Sequence, residues 1–296
     1  MNTAVMTDTN SAFTAEEGRR FGIFVLPMPV LIDDKCYSEG QDIDYDGLWQ
    51  AFSEDREIHT SMPSIGDLMD MWDMILDREG YDELVYIPMS SGLSGSCAAA
   101  AAAARDYDGK VVVIDNHRIS ATLTESVLDA AEMAAAGSSA LEIKKRLEEE
   151  AFDASIYITV NSLKYLVKSG RVTESASRLA GLLNLKPVLQ IQGDKLDSYA
   201  KTRGMQSAEE KMISALKKDI ENRFRDIPKE RLSVATAGTM SDPKECEAWR
   251  KKVSEAFPWA RVYYRPLSCS IASHIGIGAK GIAVSVINHD REKYIM

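Results

Sequence analysis

Hydroxyl-bearing residues crowd two short segments, Thr60-Ser61-Met62-Pro63-Ser64 and Ser90-Ser91-Gly92-Leu93-Ser94-Gly95-Ser96, and each runs into a stretch with helix-like character. A helix start offers unpaired N–H donors and the positive end of the macrodipole, so a small anion is stabilised there without a lysine. Thr60, Ser61, Ser91 and Ser94 are therefore candidate contacts for a carboxylate or a phosphate. No two of the four histidines, His59, His117, His274 and His289, have metal-ligand spacing. His274 stands apart because it precedes Ile275-Gly276-Ile277-Gly278, where the backbone can approach a ligand closely. Arg171, in Ser169-Gly170-Arg171, and Arg203, in Lys201-Thr202-Arg203-Gly204, read as basic residues on turns. Spacing alone gives them only a solvated surface or a salt bridge.

Two other chemistries are encoded weakly. A Ser/His hydrolase acting on an ester is assembled on paper from Ser91 or Ser94 with His274 and a carboxylate, since such triads are defined by geometry. The glycine that a nucleophile elbow needs two residues after Ser94 is Ser96 instead. Gly276-Ile277-Gly278-Ala279-Lys280-Gly281 matches a dinucleotide fingerprint, but only fifteen residues follow Gly281. That is too short for a crossover helix, a further strand and an acidic ribose contact. No cofactor and no metal are expected.

The elements that must position these residues alternate short apolar runs with longer amphipathic ones, the pattern of an α/β fold. Strands are predicted at Thr3–Met6, Phe24–Ile32, Leu84–Ile87 and Val111–Ile114, with helices at Thr14–Arg20, Tyr45–Ser53, Ser64–Arg78 and Ser94–Arg105. Seven consecutive alanines, Ala98–Ala104, favour that last helix and let it pack closely on a sheet. Helices at Ser120–Ala135 and Ser138–Glu150 lead to a second set of strands, at Ser155–Val160, Lys186–Ile191, Leu232–Ala235, Val262–Pro266 and Gly281–Val286. Helices are expected between them at Asn161–Lys168, Gln206–Phe224 and Pro243–Phe257. The chain thus divides into α/β domains at 1–153 and 154–296. Parallel crossovers would put a ligand site between the halves, at strand carboxyl ends.

With 296 residues, 45% hydrophobic and 27% charged, the chain has the composition of a globular protein with a sizeable core. A formal net charge of −10 disfavours nucleic acid and anionic membrane surfaces as partners. Four scattered cysteines suggest reduced, buried thiols rather than a disulfide framework. Neither a targeting segment nor an apolar run of about 20 residues is seen, so a cytoplasmic location is expected.

Taken in order, Thr7-Asp8-Thr9, Leu26-Pro27-Met28, the two hydroxyl-rich segments, Ile114-Asp115, Ser169-Gly170-Arg171, Leu185-Lys186-Pro187, Lys201-Thr202-Arg203-Gly204 and His274-Ile275-Gly276-Ile277-Gly278 resemble the successive motifs of the DegV family. The resemblance spans nearly the whole chain. It implies two α/β domains with a ligand tunnel between them, occupied by a long-chain fatty acid. It also implies a lipid carrier without catalytic residues of its own, in the manner of the FakB-type subunits that present the acid to a fatty acid kinase for acyl-phosphate formation, a step towards phospholipid. Thr60, Ser61, Ser91, Ser94 and His274 are then the carboxylate contacts, while Arg171 and Arg203 face the partner kinase or the phosphate it brings. Two positions depart from the family pattern: Ser169 replaces the first of two glycines, and Ile277 a proline between two glycines. Burying about fifteen methylenes at roughly 0.8 kcal/mol each supplies on the order of 12 kcal/mol before binding entropy is subtracted. The carboxylate gives up hydration on entry unless hydroxyls and N–H groups replace it.

Overall fold

The computed structural model describes residues 2–180, 185–193 and 195–294. In chain order the first half forms β1 (Thr3–Asp8), α1 (Ala15–Arg20), β2 (Ile23–Leu26), β3 (Pro29–Ile32), β4 (Lys35–Ser38), α2 (Tyr45–Ser53), β5 (Ile58–Thr60), α3 (Ile65–Asp73), β6 (Glu83–Ile87), α4 (Ser96–Ala103), β7 (Val111–Val113), α5 (Ser120–Ala135) and α6 (Ala140–Glu149). A parallel sheet in the order β2-β1-β6-β7 is its centre. β1 and β6 are buried along their whole length, as parallel strands covered on both faces must be. A small antiparallel sheet, β4-β3-β5, stands beside it.

The strand predicted over Phe24–Ile32 is two strands in two different sheets. Pro27 and Pro29 carry no N–H, so one continuous ladder cannot run through them, and the chain turns there into the small sheet. Capping chemistry marks the helices clearly. Thr14 and Glu17 close a capping box on α1, Ser139 and Glu142 close another on α6, and Ser64 caps α3 by accepting from the Asp67 N–H.

The second half forms β8 (Ala154–Thr159), α7 (Lys164–Ser169), α8 (Glu174–Ser177), β9 (Leu185–Ile191), β10 (Asp197–Arg203), α9 (Met205–Asn222), β11 (Leu232–Gly238), α10 (Pro243–Ala256), β12 (Tyr263–Pro266), α11 (Cys269–Ile275) and β13 (Lys280–Val286). Its six-stranded sheet runs β10-β9-β8-β13-β11-β12 and is antiparallel except between β11 and β12. The expectation of parallel crossovers therefore holds for the first sheet and for one strand pair of the second. Lys201 and Arg203, read as turn residues, lie in the edge strand β10. The apparent dinucleotide fingerprint leads into β13 rather than into a helix, so no helix start faces those glycines.

Period-two alternation assigns each face of this sheet. Ile158, Leu189, Ile191 and Ala237 turn towards α5, while Tyr157, Val188, Val234 and Val284 pack under α9 and α10 with Met212, Leu216, Trp249 and Val253. α5 lies between the two sheets, and its first eleven residues, Ser120–Ala130, are all buried. Of the cysteines, Cys97 and Cys269 are buried as expected; Cys36, on the solvent edge of β4, is exposed and Cys246 partly so, and all four are free thiols. Among the described residues no helix is long and apolar enough to cross a membrane.

Candidate functional site

An apolar cavity of about 430 Å³ lies between the first half and the α5-facing side of the second sheet. That is within the range of small-molecule sites. The room comes from small residues. The cavity-facing positions of the central strands β11 and β13 are Ala237, Gly281 and Ala283, whereas β8 and β9 contribute Ile156, Ile158 and Ile191 to the walls. Larger side chains at the three small positions would fill the space.

One end of the cavity is polar. Thr60 ends β5, and its hydroxyl shares a 2.7 Å hydrogen bond with Nε2 of His274, on the last turn of α11. Burial, reinforced by the charges of Arg171 and His59, holds the His274 imidazole down to about 4, so it is neutral at ordinary pH. Arg171 donates to the Ser169 carbonyl at 2.6 Å and has no ion pair among the described residues. Thr60, Arg171 and His274 also border a second, polar cleft of about 370 Å³, lined further by His59, Lys164, Lys168 and Ser169. These three residues are the shared boundary between an apolar interior and a polar vestibule.

The other sequence candidates are distributed unevenly around this boundary. Ser61 and Ser94 line the apolar cavity. Ser94 accepts from the N–H and hydroxyl of Ser96, at 3.2 and 3.0 Å, and so organises the start of α4, which has no side-chain cap. Ser91 is exposed and is not part of the cavity wall; its N–H is held by Asp115. Arg203 is exposed on β10 opposite Leu185, beside the strand end where Lys186 reaches Asn161. Neither cavity includes Arg203.

His274 is hydrogen-bonded to Thr60 and Ser94 to Ser96; among the described residues no serine is hydrogen-bonded to His274. Among the described residues no group of three His, Cys, Asp or Glu is placed to hold a metal ion. Two residues of the cavity wall were not signalled by the sequence at all: Asn10, on the 3-10 turn after β1, and Ser120, which opens α5. Asn10 directly follows the Thr7-Asp8-Thr9 motif and Ser120 opens a predicted helix, but neither position by itself signals a place in the cavity wall.

The arrangement has close counterparts. The family model described as "Uncharacterised protein, DegV family" matches residues 2–286. A DegV domain-containing protein of Deinococcus radiodurans is 27% identical over 289 residues, 97% of this chain and all of the relative. The solved structure of a DegV family protein from Thermus thermophilus, described as fatty acid binding, superposes with a TM-score of 0.86 at 26% identity, over 97% of this chain and 100% of that one. DegV from Bacillus subtilis, described as a fatty acid binding protein, gives 0.83 at 26% identity, over 97% and 99%.

Proposed function

This chain belongs to the DegV family, and from that premise we propose that it carries a long-chain fatty acid, with the acyl chain in the apolar cavity and the carboxylate at the Thr60–His274 boundary. The observation that supports this most is the cavity itself: a mostly apolar interior that meets, at Thr60 and His274, a polar cleft bordered by Arg171, which has no ion pair among the described residues. A carboxylate there accepts hydrogen bonds from Thr60, Ser61 and Ser94 and sits beside the Arg171 charge. Neutral His274 donates or accepts through Nε2 without adding a charge of its own.

The polar vestibule suits a further step, presentation of the carboxylate to a partner fatty acid kinase that supplies ATP and makes the acyl phosphate. In that reading the chain is not itself an enzyme and works in the cytoplasm, in units of residues 1–153 and 154–296. Arg171 faces both the carboxylate and the incoming phosphate, and Arg203 with Ser91 belongs to the docking surface. Native mass spectrometry of purified protein tests the carrier reading, with a co-purified free fatty acid expected. Uptake of no long-chain acid by delipidated protein overturns it. With a kinase supplied, Arg203→Ala is expected to lower acyl-phosphate formation while lipid retention stays; equal loss of both removes the docking role.

A further inference from the structure

The Glu39 carboxyl is turned into the protein, yet it lines neither the apolar cavity nor the polar cleft. Glu39 directly follows β4, an outer strand of the small sheet, and its N–H donates to the Met28 carbonyl at 3.1 Å. Its side chain reaches the start of α11. Oε1 accepts from the Cys269 N–H, while Oε2 accepts from the Thr9 hydroxyl at 2.8 Å and, more weakly, from the Ser270 N–H at 3.5 Å. The first N–H groups of a helix have no partner within it, and Glu39 supplies the acceptors that α11 lacks there. Ser268 covers the next donor, the Ile271 N–H, at 3.1 Å.

α11 is thereby attached to one sheet at both ends. Glu39 stands next to Ser38, which pairs with Pro29 of β3, whereas Thr60 of β5 pairs with Val30 on the other side of β3. The outer strands of a three-stranded sheet lie two spacings apart, about 10 Å. From Cys269 to His274 is five residues of helix, about 7.5 Å. The helix thus matches the width of the sheet, with Glu39 gripping its first turn and Thr60 meeting its last. Between these attachments Cys269 and Ala272 pack in one cluster with Val30 and Ile32. A seven-residue helix is marginal by itself, so its orientation is set by what it is attached to.

We propose that Glu39 is a positioning residue for the polar end of the cavity: its grip on the first turn of α11 sets where the His274 imidazole meets Thr60. This rests on the fatty-acid reading above and adds to it a residue that acts without touching the ligand. Burial raises the Glu39 carboxyl to about 7, and both of its forms keep the grip. The acid form still accepts from the Cys269 N–H through its carbonyl oxygen and turns its own O–H on the Thr9 hydroxyl. A glutamine amide has the same pairing of one acceptor and one donor, so the role is read by substitution rather than by pH.

Calorimetric titration of the delipidated full chain with octadecanoic acid, together with 15N NMR of the His274 ring in the ligand-free chain, tests the role. Glu39→Leu keeps much of the volume and removes the acceptors. Affinity is expected to fall about five- to tenfold, the worth of one buried hydrogen bond, and the Nε2 resonance to move as it does in Thr60→Val. Glu39→Gln is expected to keep the native affinity and resonance. In a Thr60→Val background, where the bond to be positioned is gone, Glu39→Leu is expected to cost little more; a full additional loss shows a merely structural effect and overturns the role. If Glu39→Leu does not fold, Glu39→Asp, which withdraws the carboxylate from α11 by one methylene, is expected to give the same two changes in lesser degree. An unmoved Nε2 resonance in the folded variant overturns the proposal whatever the affinity, and leaves the fatty-acid reading standing. Uptake of no long-chain acid by the native chain overturns that reading, and the resonance alone then decides for or against Glu39.

Discussion

Thr60 and His274 come from segments more than two hundred residues apart, yet they make the one hydrogen bond on which the polar end of the cavity is built. Thr60→Val removes the hydroxyl at nearly constant volume, and fatty-acid affinity should fall about five- to tenfold, the worth of a single buried hydrogen bond. Arg171→Met removes a charge as well, and a loss of tenfold or more is expected in the same titration. Because burial keeps His274 neutral down to about 4, affinity should be level between pH 6.5 and 8. A steep gain on acidification inside that window would show an imidazolium partner instead. The family resemblance made the polar end legible as residue types, but not as a network. Nothing in the sequence pairs Thr60 with a histidine 214 positions away, or separates Ser94 from Ser91, which differ in exposure because the loop turns between them.

At the scale of elements, the loop after α11 aims the site. Gly278 adopts a φ of 82°, and a Cβ there would lie 2.1 Å from Nδ2 of Asn161, whose donation to the Ile277 carbonyl anchors the loop. Gly278→Ala should cost about 2 kcal/mol or more in chemical denaturation, from the left-handed backbone and the collision together. The sheet side is equally specific. Ala283→Phe fills the cavity from β13, and titration with acids of different length should show octadecanoic acid losing affinity more than tenfold while preference moves to shorter chains. Helices were legible because their caps are written in single residues, such as Thr14, Ser64 and Ser139. β10 was not, because its sequence DSYAKTR, an edge strand with polar faces, has no apolar alternation. β5 and α11, which carry Thr60 and His274, are three and seven residues long, too short for periodicity to register. The antiparallel order of the second sheet was hidden for another reason: strand direction depends on which partners meet, and a run of apolar residues is the same read either way.

Across the molecule, α5 is the member shared by both sheets, and it is held from the second half by charge. Glu125 accepts from Ser233 and from Tyr263, the latter at 2.7 Å, and lies 3.2 Å from Nε2 of His289; Asp129 accepts from the N–H groups of Asn288 and His289 and meets Nδ1 of His289 at 2.8 Å. Burial alone would lower the His289 pKa, but the hydrogen bonds to Asp129 and Glu125 carry it up to about 9. Its folded value thus exceeds the ordinary histidine value, so the stabilisation is complete below about pH 6.5 and is lost as pH rises through 9. Asp8 and Glu39, buried and raised to about 6 and 7, are largely ionised by pH 8 and leave the range above it to His289. Thermal melting between pH 8 and 9.5 should show a falling midpoint that His289→Gln flattens. His289→Ala at pH 7 should cost about 3–5 kcal/mol, because two buried carboxylates lose their cation.

β13 sits in the middle of the second sheet, between β8 and β11, although all five other strands of that sheet precede it in sequence. A ribosome therefore delivers the keystone last. Until some 280 residues have emerged, β8 and β11 have no ladder to share and Gly281 and Ala283 supply no floor. Whatever fills the cavity meets a complete wall only once β13 has been made and inserted.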